Sequence, residues 1–447
     1  MQPIASLKIN FYFYPVGLIK EYMHHFHLLL AGLISITSWG QAKPPKAVKL
    51  ARITVKAGTA DRLNTPVFCS LEGIILKAGE TLVLEEIEGG KRVVIPIQVE
   101  TGNPARIWWL LTDTLKAGTD RKYEILTGPA GSAVSSRVQM QKDEKTVRFS
   151  VSNQNVLQYN YGIIPPPEGA SKAYERSGFI HPVWSPAGEE LTTIHPKDHL
   201  HHLGIWNPWT LTEFEGRKVD FWNLKDSLGT VRFDKFDTLF SGEIYGGFKA
   251  RQNHVDLRAR GGEKVALNEI WDVRVYNVGK EGKGPWLWDF TSTLQCASAS
   301  PVLLKEYRYG GFGFRATEQW GTDNSQVLTS EGKTRSDSDG SRGKWCSVSG
   351  QTTQGQAGLL FMGHPQNYNF PEPLRVWPPD MYNGKSNVFF NFCPTKNKDW
   401  KLEPGQTYVL RYRVLVYDGS IDANTAERTW QDFGNPPQVV VEKVKKT

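Results

Sequence analysis

Sulfur is scarce in this chain, which holds five methionines and four cysteines among 447 residues. Cys69, Cys296, Cys346 and Cys393 stand far apart with no CxxC pair, which excludes zinc-ribbon, iron–sulfur and thioredoxin-like spacings. Disulfide pairing and buried free thiols both stay open. Long apolar runs are missing too. Beyond residue 42 no stretch reaches the roughly 18 residues of a membrane-spanning helix, so stable membrane insertion is not expected. Runs of like charge are confined to the closing VEKVKKT, and a net charge of +7 carried by scattered Lys and Arg gives no footprint for nucleic acid. There is no GxSxG elbow, no P-loop, no GxGxxG ahead of a helix and no HExxH, which removes the usual signatures of acyl transfer, nucleotide binding and zinc peptidases.

Histidine, by contrast, is concentrated. Seven of the ten histidines follow residue 30, and five of those lie between 181 and 202. Four fall within HPKDHLHHLGIW (195–206), and His181 opens HPVWSP just upstream. Tryptophan is abundant at 15 residues, and Trp206, Trp209 and Trp222 follow the histidines closely. Flat aromatic faces either fill a core or stack on a ligand ring.

The first 42 residues carry Lys8, Lys20 and Glu21, then FHLLLAGLISI, then SWGQAKPP with a small-x-small site at Gly40-Gln41-Ala42. This order is that of a secretory signal peptide, with Met23 as an alternative start. A periplasmic or secreted protein is expected. No cysteine follows Ala42 to carry a lipid anchor.

From about residue 46 the pattern is β. KVALNEIWDVRVYN (264–277) sets Val265, Leu267, Trp271, Val273 and Val275 against Asn268, Asp272 and Arg274, a period of two. WLWDFTSTLQC, GLLFMG, NVFFNFC and TYVLRYRVLVYDG behave alike. A helix is expected only at NTAERTWQDFG, with Asn424 as N-cap and Gly434 as stop. Residues 43–150 have their own strand rhythm and are expected to form a small β-sandwich. Residues 151–420 make the larger β domain, and 421–447 a helix and tail. The polar stretch TSEGKTRSDSDGSRGKW (329–345) is expected to be an exposed loop, with a lid over a site as the alternative.

HPVWSPAG (181–188), DHLHHLGIW (198–206), VDFW (219–222), YGGFGFR (309–315) and HPQNYNFPEPLRVWP (364–378) together resemble the so-called methane oxygenase PmoA-like family, a domain of unknown function in exported bacterial proteins. The resemblance covers about residues 50 to 420 and implies an all-β fold, a large antiparallel β-sandwich similar to the galactose mutarotase supersandwich. Proteins of that architecture mostly handle carbohydrates. Fold does not fix function, and the oxygenase label implies a membrane enzyme that this chain's hydropathy does not match.

The residues suggest their own chemistry. On an extended backbone His199 and His201 share one face and His202 takes the other. Imidazoles titrate near neutrality, so such a set can supply a general base and a general acid to a sugar. The candidate catalytic residues are His199, His201, His202, His181, Asp198 and His364, with Asp198 or Asp220 orienting a ring. Candidate substrate contacts are Trp206, Asp220, Trp222, Tyr309 and Arg315, the arginine as a fork for carboxylate or hydroxyls. No cofactor is required. A divalent metal, zinc or copper, held by a His-x-His pair plus His181 or His195, is the alternative. The expected partner is a carbohydrate or glycan fragment. The first reading is an exported carbohydrate-active enzyme; the others are a non-catalytic glycan-binding module and a metal-dependent oxygenase or hydrolase.

Overall fold

The period-two runs become antiparallel strands in the computed structural model, which describes residues 47–76, 80–129, 136–279, 284–381 and 387–444. The expected signal peptide, its cleavage site and Met23 lie outside the described residues. Strand Lys264–Tyr276 shows the rule. Leu267, Trp271, Val273 and Val275 are buried, whereas Asn268 is exposed and Asp272 and Arg274 are half-buried. Glu269 breaks it, sitting 1% exposed on the apolar face, where the Asn207 amide, the Ser292 hydroxyl and the His254 ring satisfy its carboxylate.

Two eight-stranded antiparallel sheets share the main core. The first runs, in spatial order, Leu374–Val376, Phe389–Phe392, Gly313–Arg315, Ile205–Trp206, Phe179–Val183, Gln154–Asn160, Thr146–Val151, Val138–Lys142. The second runs Gly229–Phe240, Tyr245–Asp256, Lys264–Tyr276, Trp286–Cys296, Tyr408–Asp418, Gly355–Gly363, Trp345–Thr352, Ser325–Thr329. Phe149, Ile205, Phe314 and Phe390 of the first pack with Phe248, Trp271, Phe290 and Phe361 of the second. Each such side chain contributes about 1.5–3 kcal/mol by leaving water. The chain is an all-β, antiparallel sandwich, as its alternation predicts.

A smaller sandwich stands at the N-terminal end. Its five-stranded sheet contains Lys49–Lys56 and Asp120–Pro129, its three-stranded sheet Thr65–Ser70 and Arg106–Leu111, and Ile53, Val67, Ile107 and Trp109 fill the space between. Its boundary falls earlier than residue 150. Strand Val138–Lys142 already belongs to the large sandwich, because Val147, Phe149 and Val151 on the strand it pairs with face the main core. The tail does not stand apart either: strand Gln438–Lys443 returns to pair with Lys49–Lys56. The described residues all lie within one compact unit.

One local expectation shifts, and one open question closes. Helix Ala423–Gly434 is capped by Asp422, whose carboxylate accepts from the Thr425 N–H, and not by Asn424. Asp422 sits where its side chain reaches the third helical N–H; Asn424 is already inside the helix. The four cysteines are free thiols, and burial pushes Cys69 and Cys393 up to about 12.

Gly204 closes the histidine stretch with φ of 68°, and a Cβ there would lie 2.5 Å from the Ile180 carbonyl oxygen and 2.9 Å from the His181 Cβ. Backbone cannot yield to it as a flexible side chain would. Gly204→Ala is therefore expected to lower stability by about 2 kcal/mol or more in denaturant unfolding; an unchanged midpoint contradicts this.

Candidate functional site

Strand alternation on the first sheet builds a second, outward face. In GIW, FGFR, FFNF and LRVWP the inward residues Ile205, Phe312, Phe314, Phe390, Leu374 and Val376 join the main core. Their alternates Trp206, Arg315, Phe389, Arg375 and Trp377 point the other way. Trp206, Trp377 and Phe389 join Trp222, Leu203 and Phe179 in a separate aromatic cluster. Gly313 keeps this face low: a Cβ there would meet Trp222 at 3.0 Å. Trp222 itself is set by Asp220, whose carboxylate accepts from the backbone N–H groups of Trp222 and Asn223, both at 2.9 Å. Asp220 is thus a positioning residue for the platform, because both its oxygens are engaged by its own loop.

The histidines lie on this platform, but not on a strand. Bonds from the His199 N–H to the Pro196 carbonyl and from the His202 N–H to the His199 carbonyl fold the stretch into consecutive turns. An extended backbone would separate His202 from its neighbours; the turns gather all three. Ring centroids are 4.8 Å apart for His199 and His202, 4.7 Å for His201 and His202, and 5.5 Å for His199 and His201. His202 is stacked between His199 and Phe389 and is 1% exposed.

Asp198 connects the rings to the sheet. Its Oδ2 meets His199 Nδ1 at 2.9 Å, and Arg315 Nη2 donates to both its oxygens at 2.9 and 2.8 Å. Arg315 is fully buried, lies 4.8 Å from the Trp377 ring centroid, and approaches His202 Nδ1 at 3.5 Å. Partial burial alone would raise the Asp198 pKa, but the His199 hydrogen bond and the Arg315 charge outweigh it and hold the carboxyl well below its usual range. An ionised carboxylate only accepts, so His199 Nδ1 carries its hydrogen and Nε2 is the nitrogen that can accept. Burial, then the charges of His199 and Arg315, lowers His201 to about 3. Burial first, then His201 and Arg315, takes His202 well below its ordinary value. Both rings are neutral at physiological pH.

A cleft of about 190 Å³ opens here, lined by the three histidines, Trp222, Asn223, Tyr307, Arg308, Tyr309 and Trp377. Tyr309 closes one side. Its hydroxyl oxygen accepts from Arg375 Nη2 at 3.0 Å and Trp377 Nε1 at 3.1 Å. With both acceptor positions filled, its own proton is what it has left to offer.

The structure does not bring every expected residue here. His181 Nδ1 is bonded to the Thr192 hydroxyl at 2.9 Å, outside the cleft lining. His364 lies at the end of strand Gly355–Gly363, 5.2 Å from the Phe433 ring of the C-terminal helix. Trp206, fully buried, backs Trp222 at 5.0 Å and cannot touch a ligand, and Trp209 packs on Trp400 in the main core. Arg315 and Asp220 support the site from behind rather than line it. Other residues went unforeseen. Trp377 and Arg375 lay in a quoted motif, and only the alternation of LRVWP marks them as outward. The 329–345 stretch is an exposed loop of turns, as expected, but it is anchored: Arg335, 5% exposed, donates to the Trp377 carbonyl at 3.1 Å, and Asp339 pairs with Arg375. It buttresses the wall of the cleft.

Three larger cavities lie elsewhere, the largest, of about 500 Å³, on the small sandwich beside Arg52, Arg92, Glu124 and Glu442. One of about 420 Å³ lies between Leu63 and Asn64, the strand carrying Arg413 and Leu415, and the C-terminal helix. Another of about 390 Å³ is edged by Ser347, Ser349 and Gln326. None of the three is lined by a histidine. Among the described residues no set of three or more His, Cys, Asp or Glu side chains is arranged to hold a metal ion, and no helix is long and apolar enough to cross a membrane.

The buried imidazoles fix a pH response. His201 at about 3, with His181 and His364 at about 4, sit below the 6.5 of an unfolded chain, so unfolding takes up protons. The stability they confer is whole above pH 6.5 and is lost as pH falls toward 4. Buried Glu372, raised to about 7 from 4.5, acts oppositely, its contribution being lost as pH rises from 4.5 through 7. Each group is worth about 1.4 kcal/mol per pH unit within its window. Four far-shifted imidazoles, His202 included, outweigh the one carboxyl raised as far, so the urea midpoint is expected to fall from pH 6.5 to pH 5. A midpoint that is flat or rises over that interval contradicts this.

Comparison with known proteins gives a family and little more. No curated protein matches. The heparan sulfate lyase HepC from Pedobacter heparinus is 11% identical, with 65% of this chain and 38% of that one covered and a TM-score of 0.32. This chain therefore spans well under half of that lyase. The alpha-galactosidase from Lactobacillus brevis is 10% identical over 68% of this chain and 42% of that one, with a TM-score of 0.24. A TPR-domain containing protein from Parabacteroides distasonis is 10% identical over 81% and 57%, with a TM-score of 0.20. Residues 146–431, which hold every residue of the cleft, match a family model, and the chain belongs to that family, the family of unknown function DUF6807.

Proposed function

We propose that this chain is an exported carbohydrate-active enzyme that performs acid/base chemistry on a single sugar ring. One observation carries the reading: His199, His201 and Tyr309 line one cleft, over the buried rings of Trp222 and Trp377. His199, its Nδ1–H held by Asp198, is the base through Nε2. Tyr309, its oxygen occupied by two N–H donors, is the acid. His201, neutral, is a hydrogen-bonding group for an oxygen on which charge develops. Asp198, Arg315, Arg375 and Asp220 are positioning residues. In ring opening His199 takes the anomeric hydroxyl proton, C1=O forms as C1–O5 breaks, and Tyr309 protonates the ring oxygen; in elimination His199 takes a carbon-bound proton, C=C forms as the adjacent C–O bond breaks, and Tyr309 protonates the departing oxygen. From the PmoA-like resemblance we keep only the shared motifs, since the oxygenase label has no counterpart in this scheme.

Size narrows the substrate. About 190 Å³ is below the roughly 300–1,000 Å³ of sites that enclose drug-sized ligands, so the cleft suits one ring at the end of a glycan. The test is a panel of oligosaccharides incubated with the protein and followed by NMR for anomeric exchange, elimination or cleavage. Consumption from the chain end is expected. Binding without conversion, kept in His199→Ala, would replace this reading with that of a glycan-binding module.

A further inference from the structure

Arg308 has no part in the acid/base scheme. It lines the cleft beside Asn223, and its guanidinium lies 5.5 Å from the Tyr309 ring centroid. The other guanidiniums nearby are committed: Arg315 to Asp198, and Arg375 to Asp339 and the Tyr309 hydroxyl. Arg308 has no carboxylate partner among the described residues. The three carboxylates behind the cleft are also spent, Asp220 on the N–H groups of Trp222 and Asn223. Asp198 faces Arg315 and His199, and Asp339 faces Arg375 and Lys396. No Asp or Glu lines the cleft itself.

Three guanidiniums and Lys396 thus stand against three engaged carboxylates, and the positive excess falls on the cation at the mouth. Stacking on an aromatic face fixes the plane of a guanidinium while leaving its N–H edge open. That edge matches a planar carboxylate in a two-point fork, which a hydroxyl does not provide. A cleft with one sign of charge also concentrates ligands of the opposite sign.

We propose that the sugar taken by the cleft is acidic, and that Arg308 is the specificity residue that reads its carboxylate. The proposal rests on the cleft being a sugar site, and it goes beyond that reading by naming the substrate class. A sulfate ester would offer the same negative charge, but in a tetrahedral group rather than a planar one.

The test is calorimetric titration of the full chain with sodium D-glucuronate, D-glucose and D-glucose 6-sulfate, for wild type, Arg308→Lys and Arg308→Gln. Wild type is expected to bind glucuronate about tenfold or more tighter than glucose, the worth of one charge-assisted contact. Arg308→Gln should bring the two to parity, Arg308→Lys should keep part of the preference, and added salt should shrink it. Equal binding of glucuronate and glucose by wild type overturns the proposal, as does a preference that survives in Arg308→Gln or a stronger preference for the sulfate. The two readings fail separately. Neutral glycans consumed in a His199-dependent way, without a uronate preference, sink the charge reading alone. A uronate preference lost in Arg308→Gln, with no glycan converted, sinks the acid/base reading alone.

Discussion

His199→Ala is expected to lower turnover by about 10²- to 10⁴-fold, the usual contribution of a positioned general base, with sugar affinity within a few-fold of wild type. The asymmetry follows from the geometry. The ring is 19% exposed at the surface of the cleft, and its removal leaves the aromatic platform of Trp222 and Trp377 in place. His199→Gln tests the role further, since an amide can fill the space and hydrogen-bond but cannot cycle a proton at neutral pH. Tyr309→Phe keeps the ring and deletes the proton, and a loss of the same order is expected. Folding of each variant is checked by near-ultraviolet circular dichroism, and kcat and KM are read separately. A rise in KM with kcat unchanged would assign these residues to binding rather than chemistry.

Asp198→Ala is expected to damage both function and fold. It frees the His199 ring, and it leaves the Arg315 guanidinium, fully buried on the sheet, without its carboxylate. Removing one partner of a fully buried pair costs about 3–5 kcal/mol. Asp198 is 43% exposed, so water recovers part of this and a loss of about 1–3 kcal/mol is expected. The compensating change is Arg315→Met. If the cost of Asp198→Ala is that of an uncompensated charge, the double variant will be more stable than Asp198→Ala, while its activity stays low because His199 is still unheld. Additive losses in a double-mutant cycle would show that the two residues do not act as a pair.

The fold was legible because burial imposes a period of two on nearly every strand, and KVALNEIWDVRVYN marks its own faces. What the alternation could not show was which sheets pair. The tail strand Gln438–Lys443 lies next to Lys49–Lys56 through contacts almost the whole chain apart, and no local pattern encodes that. The histidine stretch was legible as a centre by composition but not by geometry. A strand reading splits His199, His201 and His202 between two faces, and the two turn bonds that unite them depend on backbone conformations a side-chain pattern does not report. His181 and His364 were drawn in by residue type, yet each is placed by its own neighbours, Thr192 and Phe433. Trp377 and Arg375 escaped because a tryptophan or arginine in a β-rich chain reads equally well as core or surface. Only the neighbouring strand Phe389–Phe392, distant in sequence from the histidines, brings Trp377 to them and Arg375 to Tyr309.

The central claim is that this cleft moves protons on a sugar rather than merely holding one. Its most direct test is the rate at which terminal residues disappear from the oligosaccharide panel, measured by NMR with equal amounts of folded wild type, His199→Ala and Tyr309→Phe. The account predicts conversion by wild type and at least about 100-fold slower conversion by each variant, with binding retained. Conversion by the two variants at the wild-type rate would contradict it, as would a wild-type protein that binds these glycans and leaves every one of them intact.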